Sequence, residues 1–286
     1  MDGPANLLIG ILQDVSLLVI VAIGLAVIFG MMGVINFAHG EFLMLGAFLT
    51  LTGVKAGLSI WPAMLLATVA MGVFGLLVER VLIRHLYGRL EATMLATFGL
   101  SLILVQVAVL IWGTSTQGID TPFGSFRIGA YAFSVYRVSL IGFAGLLLAA
   151  VYWVFTRTRF GTMARAATQN REMARALGID ASRVNMGTFA FGAALAGAGG
   201  ALVAPITAVA PSMGTAFIAR AFMTVVVGGP AALTGTAASS GLLGTVQRVV
   251  SDQTSAVLGT LSLLVVAIVL LRLMPTGLSG RWGRSL

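Results

Sequence analysis

The 286 residues are 58% hydrophobic and 9% charged, with a mean hydropathy of +1.03. A soluble globule of ordinary composition carries roughly 25% charged residues, so that class is excluded, and the chain reads as an all-α polytopic membrane protein, a single transmembrane domain over 1–286. The net charge of +8 would suggest nucleic acid in a soluble protein, but here arginines flank apolar segments, which fits lipid headgroups and membrane orientation and gives nucleic acid no role. With no cysteine, disulfides, thiolate metal sites and cysteine nucleophiles are excluded, and no metal site is expected.

The amino terminus lacks the basic region of a secretory signal, and its first apolar run is too long for one, so it is expected to stay as the first membrane segment. Uncharged stretches cover 15–38, 42–54, 56–78, 92–119, 138–156, 184–219, 221–247 and 253–271. Most reach the ~20 residues a spanning helix needs, and none alternates as a barrel strand would. No Lys or Arg precedes Lys55. Arg80, Arg84 and Arg89 then follow the third stretch, a basic loop follows the fifth, and Arg272, Arg281 and Arg284 close the chain. Loops rich in Lys and Arg stay in the cytoplasm, which puts the amino terminus outside and requires an odd number of crossings. About eight segments are visible, so one or two must be broken or re-entrant.

Two breaks are legible. The stretch 42–54 is short and is preceded by GMMGVINFAHGE, where Gly30, Gly33 and Gly40 interrupt and Asn36, His39 and Glu41 supply polar groups. The stretch 221–247 contains VVVGGPAALTGT, where Gly228, Gly229 and Pro230 should end one half-helix before another begins. Non-helical backbone inside a bilayer survives only against protein or a water-filled cavity, so both breaks should face inward. Their placement in the two halves of the chain is the arrangement of repeated transporters with discontinuous helices. An unpaired acid at the centre of a bilayer costs roughly 3 kcal/mol. Asn36, His39 and Glu41 therefore either contact solute or hydrogen-bond the broken backbone, and the two roles are compatible. Thr97, Ser101, Gln106, Thr224 and Gln247 add uncharged polar groups within the spans. Gly192, Ala196 and Gly200 form a small-residue stripe suited to close helix packing.

The loop 157–183 holds Arg157, Arg159, Arg165, Arg171, Arg175 and Arg183 against Glu172 and Asp180. Within it, Met163, Ala166, Ala167, Met173, Ala174 and Leu177 fall near helical spacing, predicting one helix over 163–177 that ends at Gly178. A basic helix just outside the bilayer is a docking surface, whereas a merely solvated charged face would need no apolar side.

GLAVIFGMMGVINFAHGEFLMLGAF, RTRFGTMARAATQNREMARALGID and FMTVVVGGPAALTGT together resemble the branched-chain amino acid and urea group of ABC-transporter permeases. VERVLIRHLYGRLEATMLATFGLSLILVQ, TQNREMARALGI and MPTGLSGRWGR look closest to the urea permease, in its first-subunit form. The resemblance implies a subunit of an ATP-driven importer in the bacterial inner membrane. Its solute would be urea or a short amide, or alternatively a branched-chain amino acid. The implied partners are a second homologous permease subunit, two cytoplasmic ATPases and an extracytoplasmic solute-binding protein. Arg165, Asn170, Arg171, Glu172, Met173, Arg175, Leu177 and Gly178 would form the ATPase-coupling helix. No G-x-x-x-x-G-K-[ST] loop is present, so the chain is expected to bind no cofactor and to leave ATP hydrolysis to its partners. Pro230 departs from the family, which usually continues the Gly-Gly turn with a further glycine. Two other classes compete. A secondary transporter would also use broken helices but leaves the basic helix idle. An intramembrane serine protease would want G-x-S-G where Ser239, Ser240 and Gly241 read A-S-S-G, and His85 lies in a charged loop.

Overall fold

The computed structural model describes residues 2–128 and 131–281; Arg284 of the closing basic cluster lies outside them. The helices are α1 (Asp2–Met32), α2 (His39–Lys55), α3 (Ile60–Val81), α4 (Leu90–Trp112), α5 (Val135–Arg157), α6 (Arg159–Gln169), α7 (Arg171–Ala176), α8 (Ala181–Val203), α9 (Met213–Gly228), α10 (Ala232–Gln253) and α11 (Ala256–Leu273). Between α4 and α5 the all-α pattern is interrupted by a small hairpin, β1 (Ser125–Ile128) and β2 (Tyr131–Ser134), antiparallel with Phe126 opposite Phe133.

Six helices, α1, α3, α4, α5, α8 and α11, are long and apolar enough to cross a membrane alone, and α9 with α10 makes a seventh candidate bent by 114°. Several of the expected segments change shape. The stretch 184–219 is not one span, because α8 ends at Val203 and α9 begins only at Met213. The stretch 92–119 stops at Trp112, where Gly113 at φ +79° takes the left-handed position that closes a helix. The stretch 42–54 becomes α2, only 17 residues.

Helix directions settle what the short helices do. Along α8, Gly192 faces Gly24 and Ile28 of α1, while Gly199 faces Ile20, so the two run oppositely. Gly72 and Gly75 of α3 likewise face Ala194 and Ala190, and Ala67 faces Gly197, so α3 also runs against α8 and therefore parallel to α1. The chain must return between α1 and α3, and the extended residues 33–38 with α2 make that return. By the same reasoning α10, with Ala232 at Gly30 and Gly244 at Val15, opposes α1, and α9 is the return between α8 and α10.

An inverted repeat follows. α1 packs along α10 as α3 packs along α8, α1 and α8 cross at Gly24 and Gly192, and the first turns of α2 and α9 meet at Gly40 and Gly214. The partner of the first break is thus the non-helical stretch 204–212 before α9, not the Gly228–Pro230 turn expected from the sequence. That turn does end α9: Gly229 takes φ +83° and α10 begins at Ala232. The core lies where α1, α2 and α8 pack, with Ile20, Leu25, Ile28, Phe42, Phe48 and Phe189 fully buried. Around it α3, α4, α5 and α11 turn Leu, Val and Ile outward, the surface that lipid tails require.

Candidate functional site

The first break is held by side chains from three helices. Asn36 accepts a hydrogen bond from the Ala38 amide at 3.0 Å through Oδ1, closing a turn just before α2, and its Nδ2 is buried without a partner. His39 is fully buried and sits 2.9 Å from the Val21 carbonyl. A carbonyl only accepts, so Nε2 donates, and Nδ1 is left unpaired. Val21 lies eleven residues, about 16 Å, inside the carboxyl end of α1, so α2 starts deep within the bilayer. Thr97 of α4 accepts from the Phe37 amide at 3.1 Å and itself donates to backbone carbonyls, tying 35–37 to α4. Glu41 is buried, with Ser101 of α4 beside its carboxyl and Oε2 unpartnered. Phe37 stacks on Phe222 of α9 at 5.8 Å, joining this break to the second half of the repeat.

Asn36, His39, Glu41, Thr97 and Ser101 are therefore one neighbourhood: Asn36 and Thr97 hydrogen-bond the irregular backbone, His39 ties α2 to α1, and Asn36 Nδ2, His39 Nδ1 and Glu41 Oε2 are buried without partners. The other polar residues are elsewhere. Thr224 of α9 donates to the Arg220 carbonyl at 2.8 Å, and the Thr224 carbonyl accepts from Ser239 at 2.6 Å. Gln247 is on α10, its backbone against Gly259 of α11 and its Oε1 unpaired. Gln106 is exposed on the outer face of α4 among Leu102, Ile103 and Leu110, so the fold does not bring it to the others. Ser239 spends its hydroxyl on Thr224 and Thr236, and among the described residues no hydrogen bond joins a serine to a histidine.

The basic loop folds as two helices instead of one over 163–177. Thr158 caps α6 by accepting from Gly161 at 3.1 Å. The Asn170 side chain accepts from Met173 at 2.9 Å and starts α7 afresh, because a side-chain cap competes with continuing the helix. Gly178, at φ +81°, closes α7 with Gly178 N to Arg175 O and Ile179 N to Ala174 O. Both helices are fastened to the membrane core. Thr168 donates to the Met31 carbonyl at 2.7 Å, and Arg165 to that of Phe155. Arg171 lies over the Tyr87 ring at 5.4 Å, and Tyr87 in turn donates to Glu79 of α3. Burial, with the Glu79 carboxylate beside it, pushes the Tyr87 phenol above its ordinary range. Glu79 and Tyr87 were not singled out by the sequence; an acid directly after the predicted stretch 56–78 was the available signal. On the outward side Met173 and Leu177 stand 58% and 73% exposed, with the exposed Glu172 and Arg175 next to them on α7. Two large apolar side chains are thus left uncovered on a charged, anchored helix.

Residues 7–274 match the family described as branched-chain amino acid transport system, permease component. The high-affinity branched-chain amino acid permease BraD of Pseudomonas aeruginosa is 28% identical over 279 residues, 92% of this chain and 91% of its own. The probable branched-chain amino acid permease LivH of Methanocaldococcus jannaschii is 27% identical over 300 residues, 97% and 93% of the two chains. LivH of Escherichia coli K12 is 29% identical over 280 residues, 92% and 91%. No solved structure matches. These are amino acid permeases, so the urea expectation finds no support among them and its branched-chain alternative fits better. Membrane-permease relatives and six or more crossing helices make the chain a multi-pass protein of the cytoplasmic membrane. A match that spans all but the ends of the chain fixes its family: it belongs to the permease components of branched-chain amino acid transport systems.

Proposed function

We propose that this chain is a permease subunit of an ATP-driven importer of branched-chain amino acids. It pairs with a second homologous permease subunit, takes solute from an extracytoplasmic binding protein and is driven by two cytoplasmic ATPases that dock on α6 and α7. The chain binds no cofactor and performs no hydrolysis itself. The observation that carries this reading is the family match over 7–274, with the anchored helix pair presenting Met173 and Leu177 as its physical complement. The arginines of 157–183 hold that pair on the cytoplasmic side.

Proteoliposomes holding the complete transporter, with binding protein outside and ATP within, test the solute. Labelled L-leucine should accumulate and labelled urea should not; accumulation of urea alone would replace the reading with its urea form.

In this reading the buried group at the start of α2 shapes the solute path. Asn36→Ala removes the hydrogen bond to the Ala38 amide, worth about 1 kcal/mol, and Glu41→Ala removes the acid beside Ser101. Each should lower leucine uptake severalfold while the subunits still co-purify. Wild-type uptake in both variants would leave the segment with a purely architectural role.

A further inference from the structure

Arg220 of α9 is not used by the arrangement around α2. It is partly buried, seven residues into a helix that returns through the bilayer, and among the described residues no ion pair within 4.0 Å engages its guanidinium. An arginine at membrane depth costs about 2.5–3.5 kcal/mol on insertion scales, and such residues face protein or water, not lipid. The face of α9 that carries it agrees. Its exposed residues are Thr215, Ala216 and Ala219, and no large hydrophobic side chain of α9 is exposed, in contrast to α3, α4, α5 and α11.

The surrounding charges leave Arg220 available. Asp14 of α1 is the acid near it, and Arg248 of α10 and Arg137 of α5 lie near the same carboxylate. Arg248 reaches Asp252 only at 3.9 Å, and its buried Nε has no partner. Among the described residues Asp252 is reached by Arg248 alone, and Asp14 stands among three guanidinium groups, so the cations outnumber the acids there. Arg220 stands beside the exposed Thr215, Ala216 and Ala219 and has no ion pair of its own among the described residues.

We infer that Arg220 receives the carboxylate of the transported amino acid, through the two-pronged charge-assisted hydrogen bonds that a guanidinium makes with a carboxylate. The inference rests on the amino acid reading above. A neutral amide carries no charge for Arg220 to receive.

The test uses the complete reconstituted transporter and labelled L-leucine. Arg220→Gln should cut uptake at least tenfold while the partners still co-purify. Adding Asp14→Asn to that variant should not restore it. Arg220→Lys keeps the charge but loses the fork, so it should raise the leucine-loaded binding-protein concentration for half-maximal uptake with the complex intact. Wild-type uptake by Arg220→Gln would overturn the assignment. Recovery in the double variant would do the same by making Arg220 only the counter-charge of Asp14. Should Arg220→Gln not assemble, an unchanged half-maximal concentration in Arg220→Lys overturns it. Failure of the unmutated transporter to carry leucine would instead strike the amino acid reading itself, and is read separately.

Discussion

Gly200→Val should unfold the detergent-solubilised protein about 10 °C earlier than wild type. A Cβ at Gly200 would sit on the Leu43 carbonyl, backbone against backbone, so no side chain can swing away to make room. Relief requires α2 to move off α8, which also disturbs the core around Phe42 and Ile20. Overpacking of this kind costs about 3 kcal/mol, and in a chain of this size each kcal/mol moves the midpoint by roughly 2–4 °C. Gly142→Ala on α5 is the control, because a Cβ there meets nothing within 4 Å, and helix propensity favours alanine by up to about 1 kcal/mol. The measurement is thermal unfolding followed by fluorescence. Equal loss in both variants would mean that the close approach of α2 to α8 does not govern stability.

The small-residue stripe was legible because sequence spacing alone puts Gly192, Ala196 and Gly200 on one helix face. The all-α class and the broken segments were legible for similar local reasons: uncharged runs of spanning length, and Gly or Pro where a helix must stop. What the stripe packs against was not legible, since the crossing of α8 with α1 and α2 depends on directions fixed only by the whole chain. The repeat was mispaired for the same reason. Gly228–Pro230 is a conspicuous turn in sequence, while in 204–212, the true counterpart of the first break, Pro205 and Pro211 sit in a stretch with no ionisable group and were passed over. Gln106 looked like a pathway residue because polarity in a span is visible and helix rotation is not. Asn170 shows a different limit. The apolar spacing over 163–177 suits one helix, and only the geometry of its side chain on the Met173 amide shows that a second helix begins there. Arg220 was passed over because one arginine in a basic sequence reads as orientation until its neighbours are known.

Charged residues at Met173 and Leu177 together should abolish association with the ATPase. Ala174 is the buried contact that seats α7 against this chain, and the Arg171 stack on Tyr87 holds its start. Met173 and Leu177 therefore contribute little to the fold of the subunit itself. If an ATPase covers them, each large apolar side chain contributes about 1.5–3 kcal/mol, so losing both weakens binding on the order of a hundredfold or more. Met173→Glu with Leu177→Glu should accordingly leave expression, thermal stability and pairing with the second permease near wild type, because those depend on membrane-embedded faces. ATPase co-purification and ATP-driven uptake should fall together. Ala174→Glu is the contrasting change: it breaks the seat of α7 on its own chain, so stability should drop as well. Full retention of the ATPase by the double variant would mean that the exposed side of α7 is not the docking face, and that the motor engages another part of the chain.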